Sequence, residues 1–178
     1  MTEKPELLRT RPVCGKVTWI GIAAQRRKPL EPQQSVTVQQ DKGIDGEHHA
    51  GNTERPHRQV TLIQKEHFPV IADLLSRNDV TPEQLRRNIV VSGINVASLR
   101  SQEFLIGDAV LQGTGDCVPC ALMDATLGKG GYAAMVGHGG ITAAVVKSGT
   151  ISVGDPVSLL DSQNSVERID GEAAKSSS

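Results

Sequence analysis

Two of the three cysteines, Cys117 and Cys120, stand close together in the stretch GDCVPCALMDATLG, from Gly115 to Gly128. C-x-x-C spacing can serve as half of a zinc site, as a dithiol redox pair, or as one working thiolate beside an incidental neighbour. A tetrahedral zinc site needs four ligands, usually a second C-x-x-C or a pair of histidines three to five residues apart. Here the other cysteine is Cys14, and no histidine pair has that spacing. A thioredoxin-like pair belongs between a strand and a helix of a parallel βαβ unit, and the surrounding pattern looks antiparallel. Free cysteine is also among the most buried residue types, so packing alone accounts for either position.

A second candidate is the glycine-rich run GKGGYAAMVGHGGI, Gly128–Ile141. Its glycines permit positive φ and a close approach of backbone to an anion. Lys129 precedes the glycines instead of closing the loop, so the Walker pattern is absent, as is G-x-G-x-x-G. His138, among Gly137, Gly139 and Gly140, has little side-chain packing around it and is placed to face a ligand, although a lone histidine is more often structural or solvated. Arg86-Arg87-Asn88 supplies fixed positive charge and an amide that both donates and accepts. Arginine suits bidentate anion recognition, while a solvated helix end is the plainer reading of the same residues. His48 and His49 lie on a long polar segment, Asp41–Pro56; adjacent histidines do not easily share one ion, and one of them is expected to be exposed. Long ordered loops are more often functional than connecting.

The totals exclude several classes of function. A chain of 178 residues is about one domain, large enough for a core without metal or disulfide staples. A net charge of -1 gives no reason to expect nucleic acid or an acidic membrane as partner. With two Phe, one Tyr and one Trp, platforms for stacking single-stranded bases are nearly excluded. The start, MTEKPELLRTRP, has no apolar run of the kind an export signal carries. ITAAVV at Ile141–Val146 is far short of the roughly 20 residues that span a bilayer. An odd number of cysteines without such a signal points to reduced thiols in the cytoplasm.

The elements that must position these residues read mostly as strands. Lys16–Ala24, Ser35–Gln40 and Gln59–Ile63 have the alternation or β-branched content of strands. So do RRNIVVSG, a single strand at Leu105–Gly113, and Ile141–Lys147, Thr150–Val153 and Val157–Leu160. Helices are few: Lys65–Arg77 gathers Phe68, Ile71, Leu74 and Leu75 near one face. Thr81-Pro82-Glu83-Gln84 has the form of a capping box with proline in the first turn. Strands do not alternate regularly with helices, so the expected class is mainly β and barrel-like with a few short helices. Residues 1–12 read as a lead-in, 13–160 as the domain, and 161–178 as a polar tail expected to be disordered.

Taken in order, RRNIVVSG, IGDAVLQG, C-x-P-C-A-L-M-D, GGYAAMVGHGGITAAVV and G-T-I-S-V-G-D-P-V resemble the MOSC domain, the carboxyl-terminal module of molybdenum cofactor sulfurases. GIDGEHH…RQVTLI at Gly43–Ile63 is similar to the amino-terminal half of that domain, and standalone bacterial members are similar in length to this chain. The resemblance implies a MOSC-type β-barrel and a special standing for Cys120. In amidoxime-reducing relatives the matching cysteine ligates molybdenum carried by a pterin; in sulfurase relatives it was proposed to carry a persulfide. Either role needs a thiolate. On this resemblance Arg86, Asn88 and His138 line the pocket, Arg87 and Lys129 serve the cofactor's phosphate, and Gly139 lets backbone approach it.

The implied function is a cytoplasmic protein that binds molybdenum cofactor through Cys120 and reduces N-hydroxylated or N-oxide compounds, with His138 or Asp124 delivering protons. The chain resembles neither the amino-terminal extension of the amidoxime-reducing enzymes nor the aminotransferase-like sulfurase domain, so pyridoxal phosphate does not transfer to it. Flavin and iron–sulfur motifs are absent, so electrons must come from separate donor proteins. Two rivals stand beside this reading: a carrier that accepts sulfane sulfur on Cys120 from a cysteine desulfurase, and a module that stores the cofactor without turnover.

Overall fold

The computed structural model describes residues 14–52, 54 and 56–160. The lead-in at 1–12 and the tail at 161–178 lie outside those residues. Strand β1 (Cys14–Ile22) opens the fold, followed by β2 (Glu31–Gln33), β3 (Ser35–Gln39), β4 (Gly43–Ile44) and β5 (Val60–Gln64). Helices α1 (His67–Leu74) and α2 (Pro82–Leu85) lead to β6 (Ile89–Ser92), and a 3₁₀ turn at Val96–Leu99 leads to β7 (Glu103–Ile106) and β8 (Ala109–Asp116). Helices α3 (Leu122–Leu127) and α4 (Gly131–Met135) precede β9 (Ile141–Lys147), β10 (Gly149–Ser152) and β11 (Pro156–Leu159).

The main sheet runs β11-β7-β8-β9-β5-β6-β1-β2, and a β11–β1 pairing closes seven of its strands into a barrel. A smaller sheet, β10-β3-β4, packs beside it. Closure removes the exposed edges that an open sheet must otherwise protect. The strand expected at Leu105–Gly113 is instead a hairpin, with Ile106 paired to Ala109. Gly107 at φ 56° supplies the positive φ that a two-residue hairpin turn requires.

Among the named strands the antiparallel expectation fails at β5 and β6, which pair in parallel. A parallel pair needs a crossover, here α1 and α2, and is then covered on both faces. The burial pattern follows. Leu62, Ile89 and Val91 join the barrel interior with Val17, Ile20, Phe104 and Leu111. Ile63 and Val90 point the other way, into a second cluster with Ile71, Leu85, Met123 and Met135 from all four helices. Alternation along two short strands therefore fixes where the helices sit. The end of α2 and the start of α3 meet in that second cluster, and the segments flanking them carry Arg86, Arg87 and Cys120.

Among the described residues no helix is long and apolar enough to cross a membrane.

Candidate functional site

At the α2 end the chain must turn sharply to enter β6. Gln84 Oε1 accepts from the Thr81 backbone N–H at 3.0 Å, closing the reciprocal half of the expected capping box. The helix ends on Arg86 in the left-handed region, φ 55°, an unfavourable conformation for a residue with a side chain and one that clusters at functional sites. The turn sends Arg87 inward and leaves Arg86 half-buried, with its Nη1 donating to Lys28 O at 2.9 Å.

Arg87 is 3% exposed. Its Nε donates to Gly139 O at 2.6 Å, Nη1 to Leu85 O at 3.0 Å and Nη2 to Cys117 O at 3.1 Å. These carbonyls satisfy N–H groups but neutralise no charge. Among the described residues no carboxylate forms an ion pair with Arg87. Burial pushes its pKa down, the neighbouring Cys117 offsets part of that, and the charge of Arg58 adds to the depression. Arginine stays protonated through such shifts, so a buried cation waits beside the two cysteines.

Gly139 makes this seat possible: a Cβ there would press on the Cys117 carbonyl and on Arg87 Nη2. Gly140 accepts from Cys117 N–H at 2.9 Å. The glycine run, read as a turn able to cradle an anion, thus contains α4 and then a backbone support for Arg87 and Cys117. Its His138 is half-buried against His67, the rings edge to face with centroids 5.0 Å apart. His138 Nδ1 is buried without a hydrogen-bond partner. Burial, then the charge of His67, lowers its pKa.

The cysteines separate by environment. Cys117 is buried and Cys120 is exposed. Cys120 lines a cleft of about 630 Å³ with Arg26, Arg27, Arg58, Arg86, Arg87 and Asn88. Glu47, His48 and His49 line it as well, so the structure brings Cys120, Arg86, Arg87 and Asn88 together. It does not bring His138, Asp124, Lys129 or Gly139 onto that lining. Asp124 Oδ1 instead accepts from Tyr132 N–H at 2.7 Å, tying α3 to α4. Asn88 spends its side chain on the scaffold: Oδ1 accepts from Thr61 Oγ1 at 2.8 Å, and Nδ2 donates to Glu47 Oε2 at 3.2 Å.

Sequence reasoning missed Glu47, Arg26, Arg27 and Arg58. Glu47 is 5% exposed, and its Oε2 also accepts from Ala23 N–H at 2.8 Å. Oε1 faces Nδ1 of both His48 and His49, and the rings lie 3.8 Å apart. Burial raises the Glu47 pKa. The hydrogen bond from His49, that from the Ala23 amide and the charges of both imidazoles outweigh it and hold the carboxyl below its ordinary value. His48 Nδ1 also lies 3.0 Å from Ala23 O. With both Nδ1 atoms tied inward, Nε2 of each ring is the nitrogen left for a ligand. The His49 side chain is 41% exposed and that of His48 16%, so His49 is the more open of the pair, in line with the expectation that one would be exposed. The signal in the sequence was the acid directly before the pair.

Barrel, crossover helices and a cysteine-bearing cationic cleft define a class, and residues 45–158 match the MOSC domain. The chain belongs to the MOSC domain family. Its fold is similar to that of the YuaD protein from Bacillus subtilis, with a TM-score of 0.73 at 21% identity over 84% of this chain and 97% of that one. It is also similar to YiiM from Geobacillus stearothermophilus, with a TM-score of 0.66 at 17% identity, covering 83% of this chain and 75% of that one. YiiM from Escherichia coli gives 0.62 at 17% identity, covering 82% and 70%. At these identities the likeness is one of fold. No curated protein matches the chain in sequence.

Proposed function

We propose that the protein holds molybdenum cofactor in the cleft through Cys120 and reduces N-hydroxylated or N-oxide compounds there. The observation that carries this reading is an exposed cysteine sharing a cleft with Arg87, a buried cation that no carboxylate among the described residues pairs with. That donor set fits the group: a thiolate suits a soft metal, and guanidinium groups suit a phosphate. Cys120 would hold the metal, and Arg86 and Arg87 the phosphate. When bound, the cofactor supplies two-electron redox chemistry and an acceptor for oxygen.

This chain's own residues orient the ligand and handle protons. Arg87 is fixed by three carbonyls and needs no reorganisation when an anion arrives, as preorganised electrostatic sites require. His48 and His49 share the cleft with Cys120, and Glu47 holds His49 by Nδ1 so that Nε2 can donate to a leaving oxygen. His138 and Asp124 were the proton donors implied by resemblance; their positions off the cleft favour His49 for that role.

Molybdenum content of protein purified from a cofactor-competent host tests the reading. Cys120→Ala should lose the metal while Cys117→Ala keeps most of it, and the loaded protein should turn over an N-hydroxylated compound with an artificial reductant. Metal without turnover would favour a storage module. The exposure of Cys120 also suits a persulfide carrier served by a cysteine desulfurase; sulfane sulfur on Cys120 in metal-free protein would favour that rival.

A further inference from the structure

The cations around Cys120 exceed what one phosphate needs. Arg26 and Arg27 reach the cleft from the turn after β1, Arg58 from the segment before β5, and Arg86 and Arg87 from the α2–β6 junction. Among the described residues Glu47 is the single acid on the lining, and the Ala23 amide, Asn88 and two histidines already occupy it. Five arginines against one carboxylate leave the lining at a formal +4, so the remainder of a chain whose net charge is -1 carries -5. Charge is thus segregated into the cleft, where low-dielectric walls concentrate its field.

Arg58 lies close enough to Arg87 for its charge to disfavour that of the buried guanidinium. Among the described residues no carboxylate forms an ion pair with either of them, or with Arg26, Arg27 or Arg86. Like charges converging in a cleft are costly unless an anion shares it. A phosphate monoester carries about -1.5 to -2 charges at neutral pH, which offsets two of the arginines and leaves three.

We propose that the substrate presented to Cys120 is itself an anion, an N-hydroxylated compound bearing a phosphate or carboxylate, and that Arg58 with Arg26 and Arg27 binds that oxyanion. The proposal rests on the reading of the cleft as a cofactor site. Arg58 is half-buried and so partly preorganised, whereas Arg26 and Arg27 are exposed at the rim. Arg27 stands in a turn at φ 65°. Rim arginines of this kind steer anions inward, and a half-buried one fixes their register.

The test compares phenylhydroxylamine with its 4-carboxy and 4-phosphonomethyl analogues on molybdenum-loaded protein with an artificial reductant. KM for the anionic analogues should be lower by about tenfold or more, the worth of one charge-assisted hydrogen-bonded contact. The advantage should shrink with added salt, vanish in Arg58→Gln and weaken in Arg26→Gln and Arg27→Gln. Lys147→Gln, on the far end of β9, should behave as wild type, and molybdenum content should be unchanged throughout. Equal KM values for the three compounds, or an advantage that survives Arg58→Gln, would overturn the proposal. The ranking of carboxylate against phosphonate identifies the preferred oxyanion. Calorimetric titration of metal-free protein with the 4-phosphonomethyl compound keeps the subsite testable if no molybdenum is found. Saturable binding weakened about tenfold by Arg58→Gln supports the subsite even where the redox reading fails. Absence of binding overturns it whatever the metal content.

Discussion

Two glycine-bearing loops carry histidines, and the fold uses them in opposite ways. The segment after β4 turns His48 and His49 onto a buried carboxylate and presents them to the cleft. The segment before β9 packs His138 on His67 and spends Gly139 and Gly140 on close backbone approach, beneath Arg87 and against β5. Sparse side chains around a histidine therefore do not make it face a ligand. A buried acceptor that ties one ring nitrogen and leaves the other free does. The glycines of the second loop serve the site indirectly, because Gly139 O fixes Arg87.

If the second loop is scaffold, breaking it should cost more than breaking anything in the first. Gly140 sits at φ 79°, and a Cβ there would run into the Leu62 carbonyl on β5. Gly140→Ala combines left-handed strain with overpacking against backbone. A loss of roughly 3 kcal/mol is expected, read as a lower urea midpoint at unchanged slope. A loss under about 0.5 kcal/mol, the range of an ordinary surface change, would show a loop that yields and would erase the contrast.

The next largest effect belongs to Glu47. Glu47→Gln replaces an acceptor of four groups, two on each oxygen, with a side chain whose amide N–H groups must face two of them. Leaving such a buried group unsatisfied costs about 2 kcal/mol. The folded-state pKa of Glu47 is depressed, so its stabilisation is present above the unfolded value and is lost as pH falls through the folded one. Wild type should therefore show a steeper acid limb of stability against pH than Glu47→Gln, with the two curves converging at the acid end. Parallel curves would mean that Glu47 is protonated in the native protein.

What the sequence made legible was local or alternating. The reach of Gln84 back to Thr81 spans three residues, and the alternation of β1 and β3 needs nothing outside each strand. The family pattern around Cys117–Asp155 pointed to Cys120, which does lie in the cleft. The hairpin at Gly107-Asp108 was hidden because both its arms are apolar and together resemble one strand. The cleft itself was hidden for a different reason. Arg26, Arg58 and Arg87 come from separate segments, and only tertiary folding brings their charges together. The near-neutral total concealed that concentration. Glu47 gave no sign of burial, since a carboxylate on a polar loop ordinarily faces water.

The smallest predicted effect falls on His138, and it sharpens the comparison most. His49→Gln should lower kcat of the loaded protein, whereas His138→Gln should leave kcat and KM close to wild type. The stability of the two variants separates them again. The His138 pKa is lowered by burial and then by His67. As pH falls through the ordinary value of 6.5, the unfolded chain takes up the proton before the folded one does. The contribution of His138 to stability is therefore full above that pH and fades below it, as the folded imidazole is forced to charge beside His67. His138→Gln removes both the packing and this penalty. At pH 8 it should cost below about 1 kcal/mol, within the ordinary range for a partly exposed side chain, and at pH 5 the cost should shrink or reverse. Melting temperatures of the two proteins across that interval decide it. A gap that widens as pH falls would mean that the folded state takes up the proton more readily than the unfolded chain. A fall in kcat for His138→Gln as large as that for His49→Gln would return the histidine of the second loop to the reaction.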